Sequence, residues 1–289
     1  MKHTKLKLVL VLFVLTVVSI YGQDSIKTIK CPKILGIAHV GYFSSDFNKA
    51  KDFYGNYLGL TPATSRKNKD GVEDMIKYKV GNIQSIEIFA EKKPDAPRYY
   101  HFAVLVENSE EMRQYLVSKG IKVPQKPIVN YANYFAYDYN GCICEMIDIR
   151  KYKDSLKNSI NGISRHISEV GFIVPDMAKA IKFYCELLGF NAVGSTKGEK
   201  NYTSLKLQVG DSSDFIELTE YENKPEKADE SYSNYFTLKV ESIEKAEKKL
   251  KENKLADGSV VELKKLTANG DADLMLHDSD GIRINLTEK

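Results

Sequence analysis

Apolar and polar positions along the chain fall into two rhythms that follow one another four times. From Ile37 to Phe43 the residues alternate, as in a strand with one buried face. Asp46 then supplies an N-cap. Apolar residues at Phe47, Ala50, Phe53, Tyr54 and Tyr57 keep helical spacing until Gly59 stops the helix. Tyr78 to Val80 and Ser85 to Ala90 return to alternation, with Gly81-Asn82 suited to the turn between them. The same order begins again at residue 101: HFAVLV is a strand, and NSEEMRQYLVSKG is a helix capped by Asn108 or Ser109 and stopped at Gly120. NYFAYDYNGCICEMIDI is a hairpin turning at Asn140-Gly141.

The order recurs because the sequence does. AHVGYFSSDFNKAKDFYGNYLGL (38–60) and SEVGFIVPDMAKAIKFYCELLGF (168–190) align without gaps and are identical at nine of 23 positions, too many for coincidence. Further on, FTLKVESIEKAEKKLKENKL repeats the strand and helix, and LMLHDSDGIRINLTE repeats the closing hairpin. Two domains are expected, 34–150 and 163–288, each of two modules, joined by the polar, unpatterned segment 151–162. The class is α+β.

The N-terminus stands apart from this pattern. Residues 1–22 put three lysines ahead of an uncharged apolar run from Leu8 to Val18 and end in SIYG, the layout of a secretory signal peptide cleaved between Gly22 and Gln23. An uncleaved membrane anchor is the alternative. Cleavage predicts a periplasmic or secreted protein with no membrane attachment. It also removes three of the 42 basic residues and no acids, leaving 39 against 39. A neutral mature chain implies neither nucleic acid nor an anionic membrane surface as partner. The four cysteines, Cys31, Cys142, Cys144 and Cys185, form no CxxC, and their spacing favours packing over disulfides.

Candidate chemistry comes from four positions that coincide in the duplicated unit of the first domain. His39 and His101 lie on the opening strands of the two modules, and Glu87 and Glu145 on their closing strands. Alternation gives each mostly apolar or small neighbours on its own face: Ile37 and Gly41 beside His39, Ala103 and Leu105 beside His101, Ser85 and Phe89 beside Glu87, Ile143 and Ile147 beside Glu145. A carboxylate on an interior face needs a partner or a metal. Two imidazoles facing two carboxylates suit one divalent ion, zinc, nickel, manganese or iron. Buried His-Glu hydrogen bonds without metal are the alternative.

These residues resemble the vicinal oxygen chelate superfamily, which includes glyoxalase I, fosfomycin-resistance and bleomycin-binding proteins, and extradiol dioxygenases. IAHVGYFSSDFNKAKDFYGNYLGL is similar to the opening of such a domain, SIEIFAE to its middle strand, YYHFAVLVEN to its second histidine strand and DYNGCICEMID to its D-x-x-G-x-x-x-E hairpin. The resemblance implies β-α-β-β-β modules paired into a cupped, half-open barrel around a metal. His39, Glu87, His101 and Glu145 match the glyoxalase I ligand set one for one, whereas an extradiol arrangement would use His39, His101 and Glu145 and leave Glu87 behind the ligands or in the pocket. The glyoxalase-like set implies a metal acting as Lewis acid on a small substrate with two neighbouring oxygens. Glu145 is the first candidate for the base and Glu87 the second.

Isomerisation, epimerisation or elimination beside a carbonyl is the expected reaction, with a hydroxy-carbonyl or sugar-derived substrate. The alternatives are an iron-dependent extradiol ring-cleaving dioxygenase and a non-catalytic small-molecule binder. Tyr134 and Tyr137 are candidate pocket residues. In the second domain Glu169, Glu217, Tyr235 and Asn285 hold the equivalent positions, so no second metal set is expected and intrachain pairing of the domains is its expected role. His166, three residues before Glu169, is expected on the opposite face, and His277 aligns with Tyr137.

Overall fold

The computed structural model describes residues 29–94, 97–127, 133–152, 162–199, 201–266 and 274–288. The expected leader with its expected Gly22-Gln23 junction, and most of the connecting segment 151–162, lie outside the described residues. Residues Cys31–Lys289 form one compact unit.

The first half contains β1 (Ile34–Ser44), α1 (Phe47–Lys51), β2 (Thr61–Lys67), β3 (Glu73–Lys79), β4 (Ser85–Ala90), β5 (Tyr99–Val106), α2 (Ser109–Ser118), β6 (Tyr134–Tyr137), β7 (Ile143–Asp148) and α3 (Ile149–Tyr152). Its strands make one sheet in the order β2-β3-β4-β1-β5-β7-β6. At the centre β1 runs antiparallel to β5, and each takes its own module's closing strand, β4 or β7, as a parallel outer neighbour.

The second half contains β8 (His166–Ile173), α4 (Met177–Ile181), β9 (Asn191–Gly198), β10 (Tyr202–Gln208), β11 (Phe215–Tyr221), α5 (Lys227–Ser233), β12 (Tyr235–Lys239), α6 (Ile243–Glu252), β13 (Lys264–Lys265), β14 (Leu274–His277) and β15 (Arg283–Thr287). Its sheet, β13-β14-β15-β12-β8-β11-β10-β9, has the same connectivity. Both sheets are open, as a cupped half-barrel requires.

Local structure departs from the sequence reading in one repeated detail. The helix after Asp46 is α only over Phe47–Lys51 and then widens into a π-helical turn, Asp52–Tyr57, and the second copy does the same over Lys182–Leu187. Spacing of three and four does not reveal the extra residue of a π turn. Gly59 and Gly189 close the two helices in the left-handed region, with φ of 66° and 75°. Lys151 and Tyr152, counted with the connecting segment, instead end α3, and the buried Tyr152 hydroxyl lies 3.0 Å from that of Ser85. All four cysteines are free thiols.

The duplicated tyrosines and hairpin aspartates tie the two halves reciprocally. Tyr54 of the first half donates to Asp278 of the second at 2.8 Å, and Tyr184 of the second donates to Asp138 of the first at 3.1 Å. Each aspartate also accepts two backbone N–H groups of its own turn, and the turn glycine, Gly141 or Gly281, takes positive φ. Burial pushes both carboxyls up, Asp278 to about 6. Gln84, buried between the halves, donates to the carbonyls of Ile37 and Ile167 and accepts from Ile167 N–H. Asp214 accepts from Ile37 N–H and lies 2.7 Å from His166, which sits at the start of β8 away from Glu169. Stacked Tyr99–Phe172 and Phe102–Phe172 rings carry the apolar core from one half to the other.

Candidate metal centre

The four central strands of the first sheet, β4-β1-β5-β7, each deliver one of the four singled-out side chains. Gly41 of β1 lies opposite Glu87 of β4 on one side and His101 of β5 on the other, while Ala103 lies between His39 and Glu145. A Cβ at Gly41 would stand 2.4 Å from His101 Cε1, so the imidazole occupies the space that the glycine leaves. The second half repeats the arrangement with a phenol: a Cβ at Gly171 would stand 2.0 Å from Tyr235 Cε1. This explains the glycine kept in both copies of the repeat.

The side chains converge. His39 Nε2 and His101 Nε2 are 2.8 Å apart, and Glu145 Oε2 is 3.0 Å from the first and 3.3 Å from the second. Glu87 Oε2 lies 3.7 Å from both Nε2 atoms, and Glu87 Oε1 meets Lys77 Nζ at 2.6 Å. The amide of Asn133 donates to the other oxygen of Glu145. All four corners are buried, the histidines at 1% exposure.

Their charges are set by one another. Burial alone would raise both glutamates, but the imidazoles, His39 foremost, hold Glu145 well below the usual carboxylate range. Glu87 is lowered against the same burial by His39, Lys77 and His101. Lys77, opposite Glu87 across the β3–β4 ladder and over the Tyr152 ring, is desolvated yet held charged by its partners.

The donor set fits a divalent cation. With metal–ligand bonds of about 2.1 Å, adjacent ligands of an octahedral shell stand about 3 Å apart, and His39, His101 and Glu145 form a triangle with edges of 2.8, 3.0 and 3.3 Å. Once Lys77 is set against Glu87, a buried carboxylate remains against two imidazoles, which favours a positive charge among them. The Nδ1 atoms of both histidines are buried without a hydrogen-bond partner among the described residues. The grouped ligand atoms of His39, His101 and Glu145 lie within 4.8 Å of one another.

One expectation needs amendment. Tyr134 does not line the centre: it pairs with Met146, and its hydroxyl donates to Glu110 of α2 on the opposite side of the sheet. Phe135 is the residue opposite Glu145, with its ring 5.9 Å from His101. Tyr137, two residues on, is half exposed at the end of β6. Lys77 and Asn133 were not anticipated. A signal for the lysine was present, since the second repeat has Lys206 in register with Glu217 as Lys77 is with Glu87. Asn133 follows residues outside the described set and lies before β6, so alternation did not point to it.

Two family models, both described as Glyoxalase/Bleomycin resistance protein/Dioxygenase superfamily, match residues 38–137 and 166–286. No curated protein matches. Among solved structures, the 2,3-dioxygenase LapB from Pseudomonas sp. KL28 is similar at 15% identity and TM-score 0.64, over 89% of this chain and 93% of that one. The Mn(II)-bound glyoxalase from Novosphingobium aromaticivorans is similar at 16% identity and TM-score 0.63, over 89% and 83%. An extradiol ring-cleaving dioxygenase from B. fuscum is similar at 16% and 0.62, over 89% and 72%. At these identities the likeness is one of fold. With both halves matched and the fold shared, the chain belongs to the Glyoxalase/Bleomycin resistance protein/Dioxygenase superfamily, as a tandem of two such domains.

Proposed function

We propose that this protein is an exported, metal-dependent enzyme of the glyoxalase-like type. It would carry out isomerisation, epimerisation or elimination beside a carbonyl on a small oxygenated substrate, of hydroxy-carbonyl or sugar-derived character. The observation that carries the reading is the convergence of His39, His101, Glu145 and Glu87 at the middle of one cup, with a carboxylate oxygen of Glu87 equidistant from both imidazoles. A bound divalent ion would supply Lewis-acid polarisation of two neighbouring substrate oxygens.

The chain's own residues prepare the rest. Asn133 fixes one oxygen of Glu145 and Lys77 one oxygen of Glu87, so each carboxylate keeps its other oxygen turned to the centre. Glu145 is the first candidate to move the proton and Glu87 the second. Phe89, Tyr100 and Phe135 ring His101 and exclude water from the imidazole. Signal-peptide cleavage after Gly22 would place the reaction in the periplasm or outside the cell.

One observation favours a second reading, an iron-dependent extradiol dioxygenase. Two imidazoles and one carboxylate, without Glu87, already make the three-residue face that such iron sites use, and Glu87 is engaged by Lys77. Metal analysis of the purified mature protein tests both. Near-stoichiometric zinc, nickel or manganese that is lost in His101→Ala supports the glyoxalase-like reading. Iron, with oxygen consumption on catechols after anaerobic reconstitution, supports the dioxygenase. No metal in either protein refutes the enzyme readings and leaves a binding protein.

A further inference from the structure

The second cup has lost both histidines but is not packed shut. A cavity of about 440 Å³ opens over β8, β10, β11, β12 and β15, within the roughly 300–1,000 Å³ typical of small-molecule sites. It occupies the place in the second half that the metal centre holds in the first.

Its wall cannot satisfy itself. Tyr235 Oη is 2.7 Å from Glu169 Oε1 and also 2.7 Å from Glu217 Oε2. One hydroxyl proton serves only one of these carboxylates at a time. Lys206 closes on Glu169 at 2.9 Å. On β15, Arg283 and Asn285 stand two residues apart and so present their side chains to the same face. Both are buried, at 7% exposure each. Arg283 Nε and Asn285 Oδ1 have no hydrogen-bond partner among the described residues. The guanidinium lies 4.0 Å from the Tyr235 ring and 4.2 Å from the Tyr232 ring, which hold its plane in place without using its N–H groups. A buried unpaired donor and a buried unpaired acceptor on one face of β15, too far apart to pair with each other, are each costly unless something else pairs them.

The chemistry of that partner follows from the wall. The charges already balance, Glu169 and Glu217 against Lys206 and Arg283, so an anion or a cation would enter uncompensated. A metal is disfavoured further because the Lys206 ammonium sits on Glu169, the residue in the place of His39. Unmet needs of both kinds are met by a group that donates and accepts at once, a hydroxyl. The half-exposed Tyr232 adds an aromatic face at the rim for the C–H side of such a molecule.

We infer that the second domain carries its own binding site for a neutral polyhydroxylated small molecule of the monosaccharide type, held by Arg283, Asn285, Glu217 and the Tyr232 ring. It is separate from the metal centre and does not rest on the reaction assigned there.

The test is calorimetric or NMR titration of the full mature protein with D-glucose, D-galactose, D-mannose, D-xylose and myo-inositol, with D-gluconate as the anionic probe. Saturable one-to-one binding of at least one neutral probe is expected. It should persist in His101→Ala and weaken at least about tenfold in both Arg283→Gln and Tyr232→Ala. Tyr232 is half exposed, so its variant keeps the test sound should Arg283→Gln fail to fold. Saturation by gluconate alone overturns the assignment, as does the absence of saturation by every neutral probe. Binding lost in His101→Ala, or kept in the Tyr232 variant, overturns the placement.

Discussion

Gly41→Ala separates the site from the fold more cleanly than removal of a ligand would. Gly41 does not need a glycine for its backbone, since its φ lies outside the left-handed region. The added methyl carbon would, however, stand 2.4 Å from Cε1 and 2.5 Å from Nδ1 of His101, where ordinary contact begins at 3.4 Å. The imidazole must therefore withdraw by about 1 Å, more than the tolerance of about 0.5 Å within which a constellation of ligands works. His101 Nε2 would leave its positions 2.8 Å from His39 Nε2 and 3.3 Å from Glu145 Oε2. Overpacking of this kind costs about 1–3 kcal/mol of stability, and displacing the support of a ligand typically costs about 10–100-fold in metal affinity. Competition with a chelator of known affinity reads the second quantity and urea unfolding the first. Gly171→Ala is the control: its Cβ would meet the Tyr235 ring at 2.0 Å, so it strains the second cup and leaves the first alone. Metal affinity within about twofold of wild type in folded Gly41→Ala, or an equal loss in Gly171→Ala, refutes the reasoning.

Lys77→Met strands the buried Glu87 carboxylate and is expected to cost about 3–5 kcal/mol in urea unfolding; a cost below about 1 kcal/mol means the 2.6 Å contact contributes little. Asp278 has its carboxyl raised to about 6, so the folded chain holds a proton that the unfolded chain releases near pH 4. Its contribution is therefore present below about pH 4 and is lost as pH rises through about 6, by at most about 3 kcal/mol. Asp278→Asn should flatten the unfolding midpoint over that window, and parallel slopes for the two proteins would contradict this. Gln84→Ala deprives three buried backbone groups of partners, Ile37 C=O, Ile167 C=O and Ile167 N–H. At about 1–3 kcal/mol for each stranded group, it should rank among the most destabilising single changes between the halves; an unfolding curve matching wild type would show that water replaces the amide.

Much of this was legible because the sequence is duplicated. The identities shared by 38–60 and 168–190 mark β1, β8 and their helices, and the coincidence of His39, His101, Glu87 and Glu145 in equivalent strands marks where the four side chains converge. What was not legible depends on register between strands. Alternation places Tyr134 and Phe135 on opposite faces without saying which one faces Glu145, and the β6–β7 ladder decides for Phe135. The π turn escapes for a similar reason, since one added residue leaves the apolar spacing intact. The Tyr54–Asp278 and Tyr184–Asp138 pair was visible as four repeated residues, but that each tyrosine serves the other half's hairpin is a fact of packing.

The comparison of the two cups separates what the frame requires from what the chemistry requires. Both keep the glycine on the first central strand, and both set a ring against it, His101 in one and Tyr235 in the other. Both also keep a lysine across from the glutamate of the parallel neighbour, Lys77 and Lys206. In the first cup that lysine pairs with Glu87 and leaves Glu145 to the imidazoles. In the second, Glu169 stands where His39 would be, and the lysine meets it at 2.9 Å. Glu169 in the histidine's place thus does more than omit a donor: it engages the ammonium of Lys206, in a cavity that Arg283 and Asn285 also line. The same strands, in the same register, bring together a set of metal-ligand side chains in one half and a charge-balanced polar cavity in the other.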